Sequence, residues 1–160
     1  MDPLIRSSVE LYGVSTALTN KAIDGLSAEE LHKKAGPDTN PAIPIFTHLA
    51  HSRCSLLRLL GSDCDLPWDG RFGRGGAMDD PSKYPELNDV RAVWKDVGER
   101  LHQRFEELTD EELSAGTPRR FLVPDPTIRG AINFLAYHEA YHVGQLAYLY
   151  KWLGQGALVD

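Results

Sequence analysis

The residues of this chain best suited to chemistry gather in the pentapeptide His138-Glu139-Ala140-Tyr141-His142, inside the run FLAYHEAYHVGQLAYLYKWLG. Two imidazoles four residues apart stack on one face of a helix, where both nitrogens can converge on a single divalent ion. Far upstream, His48 lies in IFTHLAHSRCSLLRLLG, a second helix-like stretch. Three neutral nitrogen ligands with an open fourth position form the coordination set of a catalytic zinc-type site. The predicted metal set is therefore His48, His138 and His142.

Helical geometry refines this reading. At about 100° per residue, a helix following Pro126 places Ile128, Ile132, Leu135, Leu146, Leu149 and Leu153 in one inward sector, with His138 and His142 inside it and Glu139 on its flank. On the earlier helix Ile45, Leu49, Leu56 and Leu60 face inward. His48 lies at their edge, on the side of Ser52 and Leu59, and His51 points to roughly the opposite face, which predicts an exposed ring. His32 and His102 read as surface residues. A lone histidine on an apolar face is more often a hydrogen-bonded core residue than a ligand. Two at ligand spacing are harder to explain as packing, since each buried polar group without a partner costs about 1–3 kcal/mol.

Metal-bound histidines usually donate their second ring nitrogen to an acceptor, and Gln145, Ser52 and Glu139 are the candidates for that role. Glu139 is also the one weak candidate for a catalytic base, through the literal His-Glu-x-x-His motif of zinc peptidases. Chain order opposes a peptidase. Its third ligand normally follows the motif, whereas the residues after His142 contain neither His nor Glu. No strand pattern is present to hold an extended peptide. A purely structural metal site would be closed by a fourth protein ligand. Glu139 is the one obvious choice, and sharing the ion with both flanking histidines would strain it. An open site is expected.

Four long helical patterns must position these groups. The first runs from about Pro3 to Asp24, with Leu4, Leu11, Leu18 and Ala22 on one stripe and Gly25 closing it. The second runs from about Pro44 to Leu60 and stops at Gly61. The third, from about Glu86 to Leu108, carries the seam Leu87, Val90, Trp94, Val97, Leu101, Phe105 and Leu108. The fourth begins at the N-cap Thr127 and ends near Leu153, before Gly154. Capping boxes open short turns at SAEEL (from Ser27) and TDEEL (from Thr109). No segment alternates for long enough to predict a strand. The expected fold is all-α, a four-helix bundle forming a single domain over residues 1–160, with a long connection between the second and third helices. That glycine- and proline-rich connection, 61–85, either covers one end of the bundle as a lid, anchored by Trp68 and Phe72, or lies on the surface as a mobile loop.

Composition narrows the partners. A formal charge of −6 argues against nucleic acid as the main ligand. No apolar run approaches the roughly 20 residues of a membrane span, and the start MDPLIRSSVE lacks a signal peptide's apolar stretch. Cys54 and Cys64 make no disulfide framework and are expected as structural or incidental thiols in a reducing cytoplasm.

Nearly the whole chain resembles the DinB-like superfamily, which includes YfiT-type metalloenzymes. HEAYHVGQLAYLYKWLG is similar to that family's closing helix: His, three residues, His, then Gly-Gln and an apolar run ending Leu-Gly. IFTHLAHSRCSLLRLLG is similar to its second helix, whose His-Leu supplies the remaining ligand, and LSAEEL fits the layout after the first. The resemblance implies a divalent metal, zinc or nickel, on His48, His138 and His142, and a homodimer. It also implies a small-molecule substrate and either of two activities: transfer of a low-molecular-weight thiol such as bacillithiol or mycothiol, or activation of water. Other members are known only as metal-binding proteins, some induced by DNA damage, so a non-catalytic metal-binding bundle is the alternative. Arg71 and Arg74 could meet a thiol cofactor's carboxylates, although a solvated loop would carry the same residues.

Overall fold

Proline at the first helical position and an aspartate cap start the first helix. The Asp2 carboxylate accepts the Leu4 amide at 2.6 Å, and the fixed φ of Pro3 suits that position. The structure is a computed structural model and describes residues 2–68, 72 and 80–159. Helix α1 spans Pro3–Asp24, α2 Ala42–Leu59, α3 Leu87–Glu107, α4 Asp110–Ser114 and α5 Ile128–Trp152. Short 3-10 turns occupy Glu30–His32 and Pro81–Lys83. Among the described residues there is no strand, only an isolated bridge between Gly116 and Thr127. The four long helices α1, α2, α3 and α5 form the expected bundle. No described helix is long and apolar enough to cross a membrane.

Packing follows a ring with one weak link. Helix α5 packs against α1 and α2, α2 also packs against α3, and α1 and α3 touch little. The α3 seam is buried as its spacing predicts, through Val90, Trp94, Val97, Leu101 and Phe105. The stripe read on α1 needs correction. Leu4 and Leu11 are exposed, and the buried face is Ile5, Val9, Tyr12, Ser15, Thr19 and Ile23, with Ala22 shared. Beside that face the Tyr12 carbonyl and the Thr16 hydroxyl accept from Nη2 of Arg53, a buried arginine of α2.

The start of α5 is fixed by contacts that only glycine tolerates. The Asp125 carboxylate accepts both the amide and the hydroxyl of Thr127, at 3.0 and 2.6 Å, and the Thr127 hydroxyl caps the Gly130 amide. A Cβ on Gly130 would lie 2.2 Å from the Asp125 carbonyl oxygen. In α4 the TDEEL turn carries its full capping box, Thr109 with Glu112. Cys54 and Cys64, expected as thiols, are instead joined as a disulfide, with Cα atoms 5.6 Å apart. Both are buried, and the bond ties the segment after α2 back onto that helix.

Candidate metal centre

Three imidazoles from two helices meet where α2 faces the middle of α5. Nε2 of His138 lies 3.4 Å from Nε2 of His48 and 3.2 Å from Nε2 of His142. One ring nitrogen from each of the three falls within 4.8 Å of the others, and all three rings are partly buried. Ligand distances of 2.0–2.1 Å in a tetrahedral shell place neighbouring nitrogens about 3.3–3.4 Å apart, the spacing seen here.

Hydrogen bonding fixes what these nitrogens offer. Nδ1 of His48 sits 2.6 Å from the main-chain carbonyl of Phe72, and Nδ1 of His142 sits 2.7 Å from Oε1 of Gln145. Gln145 in turn directs its Nε2 to the Tyr141 hydroxyl, 3.4 Å away, which orients its amide. Carbonyl oxygens only accept, so both Nδ1 atoms carry the proton. Burial lowers the pKa of His48, although the Phe72 carbonyl opposes this. Burial also pushes His138 and His142 down to about 4, reinforced by His48 in both and by Arg119 at His138; at His142 the Gln145 hydrogen bond opposes the shift and His138 adds to it. Neutral rings with protonated Nδ1 present bare lone pairs at Nε2. At least two such lone pairs therefore point at one small volume. Nε2 of His138, whose Nδ1 has no partner, lies between them, and three neutral ring nitrogens at this spacing fit a divalent cation.

The other predicted positions fall differently. Glu139 does not support a histidine ring. Its carboxylate, 1% exposed, is held bidentately by Arg53, with Nε to Oε2 at 2.9 Å and Nη2 to Oε1 at 2.5 Å. Burial raises its pKa, opposed by the guanidinium. Neighbouring helix residues differ by about 100°, which turns Glu139 away from His138 into the core and removes it from the role of peptidase base. Ser52 hydrogen-bonds to none of the three rings among the described residues. His51, expected to be exposed, is half-buried with its Nδ1 unpartnered, because α2 packs against α3 as well as α5.

The acceptor for His48 escaped the sequence reading, since a main-chain carbonyl carries no side-chain signature. Phe72 itself is 1% exposed and sets its ring against Tyr84, so the connection does reach the centre at this residue. Trp68 also packs on the core. Arg71, Arg74 and the rest of 69–71 and 73–79 in the proposed lid lie outside the described residues. Arg53 was missed as well, although the helical wheel places it beside Leu49 and Leu60 on the inward side of α2. Around His138 stand Phe134, with ring centroids 6.3 Å apart, and Phe121, which packs on Phe134 at 5.7 Å and carries the Arg119 guanidinium on its face at 4.7 Å.

Comparison with known proteins agrees with this architecture. The family model of the DinB superfamily matches residues 12–146. YfiT from Bacillus subtilis, a probable metal-dependent hydrolase with an unusual four-helix bundle topology, superposes with a TM-score of 0.67 at 19% identity, covering 93% of this chain and 87% of that one. A stretch of 97 residues, 58% of this chain, is 32% identical to a subunit of the aspartyl/glutamyl-tRNA(Asn/Gln) amidotransferase from Janthinobacterium sp. (strain Marseille). The chain spans only 19% of that protein's length.

Proposed function

The chain belongs to the DinB superfamily, and from that premise we propose that it is a metal-dependent enzyme whose His48, His138 and His142 hold one divalent ion, zinc or nickel, beside an open coordination position. The observation that carries the proposal is the convergence of the three Nε2 atoms, 3.2 and 3.4 Å apart, with the Nδ1 protons of His48 and His142 committed to carbonyl oxygens. Bound by three neutral ligands, such an ion keeps its formal charge and acidifies a thiol or water beside it. The chain's own residues do the rest. Phe72 and Gln145 fix two tautomers and ring orientations. Phe121 and Phe134 wall one side of His138, and Arg119 adds a positive charge that favours an anionic nucleophile or leaving group.

A low-molecular-weight thiol is the preferred nucleophile, as the family resemblance implies. Water is the second reading, favoured by the fold shared with the probable hydrolase YfiT. The substrate is a small molecule and not nucleic acid, in keeping with the charge of −6, and the working unit is a homodimer. The test is elemental analysis of purified protein, followed by assays of bacillithiol, mycothiol, glutathione and coenzyme A against a chlorinated aromatic acceptor. Metal-loaded protein should turn over with at least one thiol and metal-stripped protein should not. Bound metal with identical rates in both forms would leave a non-catalytic metal-binding bundle.

A further inference from the structure

On the far side of the Arg53–Glu139 pair, the weak link between α1 and α3 opens into a cavity of about 1110 Å³. None of the three clustered histidines lines it. Its walls are α1 and α3, and Tyr12, Phe46, Trp94 and Phe105 supply aromatic surface, with Arg53 among the lining residues. Ligand pockets of small molecules have this character: concave, largely apolar, with a few placed polar groups.

Arg53 is the informative group. It is 3% exposed, and its guanidinium lies over the Trp94 ring, 3.7 Å from the centroid. Nε and Nη2 are used by Glu139, the Tyr12 carbonyl and the Thr16 hydroxyl. Nη1 has no hydrogen-bond partner among the described residues. It faces Gly98 on the cavity wall, where an added Cβ would lie 3.1 Å from it. The Tyr12 hydroxyl is also buried without a partner.

Two glycines keep the space open. Gly13 and Gly98 lie inside α1 and α3, where glycine costs about 1 kcal/mol relative to alanine. A Cβ on Gly13 would meet nothing within 4 Å, so no neighbour within the fold requires that glycine.

We propose that this α1–α3 cavity is a binding site, separate from the metal centre, for an uncharged, flat apolar molecule bearing a carbonyl oxygen. The charge of Arg53 is already neutralised by Glu139, so a carboxylate placed against Nη1 would be an unbalanced buried anion. A neutral carbonyl accepts the spare N–H without that cost, and its apolar body covers the aromatic floor. The rim, with Arg6 and Lys95 against Glu10 and Glu99, supplies no field of a single sign.

The probe is Nile red, an uncharged planar dye with a ring carbonyl, titrated into the full-length metal-loaded protein. Saturable binding is expected, at least tenfold tighter than that of the anionic dye anilinonaphthalene sulfonate. Gly13→Phe should project a ring into the cavity and weaken Nile red binding at least tenfold, whereas Gly13→Ala should bind within about twofold of the parent. Both should melt no lower than the parent, since each removes a helix-interior glycine. Three results would overturn the proposal: no saturable binding, unchanged affinity in Gly13→Phe, or tighter binding of the anionic dye. A dimer of the parent that Gly13→Phe splits would also overturn it, by making a second copy of the chain the occupant.

Discussion

Each histidine of the cluster has a different support, and that difference predicts different consequences. His48 leans on a main-chain carbonyl, His142 on the Gln145 amide, and Nδ1 of His138 is buried without a partner. Replacing any of the three by alanine should remove most bound metal, read by elemental analysis, while His51→Ala should leave the content unchanged. An emptied site in His51→Ala would show that α2 contributes His51 to the ion in place of His48. Gln145→Ala should weaken metal affinity about 10- to 100-fold, the usual effect of losing a ligand's supporting acceptor. Protonation gives a separate check on the metal-free protein. The folded pKa values of His138 and His142, about 4, lie below the unfolded value near 6.5. Between those values the unfolded chain binds more protons, so stability contributed by the neutral rings is complete above about pH 6.5 and is lost as pH falls toward 4. Urea denaturation in the presence of a chelator should show that decline, and the double variant His138→Ala/His142→Ala should flatten it. An identical slope in the double variant would mean that the rings are not held neutral by the fold.

Between the helices, the strongest polar fastening is the Arg53–Glu139 pair, which joins α2 to α5 and reaches α1 through the Tyr12 carbonyl and the Thr16 hydroxyl. Arg53→Met leaves a buried carboxylate without its cation and should cost about 3–5 kcal/mol. Removing both charges in Arg53→Met/Glu139→Leu should recover most of that loss in chemical denaturation, and a double variant no more stable than the single would refute the pairing. This fastening also marks where sequence reading stops. Helix ends were legible because Pro3, Gly25, Gly61, Thr109 and Thr127 are local signals, and α1 and α5 begin where those residues place them. Facing was less legible. Leu4 and Leu11 of the α1 stripe turned outward, and Ile5, Val9, Tyr12 and Ile23 pack instead, a choice set by helices distant in sequence. Glu139 misled for a related reason: adjacency in sequence suggested partnership with the histidines, whereas on a helix adjacency separates.

For the molecule as a whole, the two ends of the candidate site belong to different helices, so any ion bound there cross-links α2 to α5. A bundle of four long helices was readable from periodicity. The gap between α1 and α3 was not, because spacing along a chain says nothing of how closely two helices approach. A ligand that binds the folded chain alone stabilises it by RT ln(1 + [L]/Kd), about 2.7 kcal/mol at a hundredfold excess over Kd. For a chain of 160 residues, each kcal/mol corresponds to roughly 2–4 °C in melting temperature. Calorimetry should therefore show zinc or nickel raising Tm by about 5–10 °C over the chelated protein. The same scan on His48→Ala separates two causes. If the ion acts as a cross-link, loss of the α2 ligand removes the shift although His138 and His142 remain on α5. A shift that persists undiminished in His48→Ala would place the ion on α5 alone, and the three-histidine centre would be wrong.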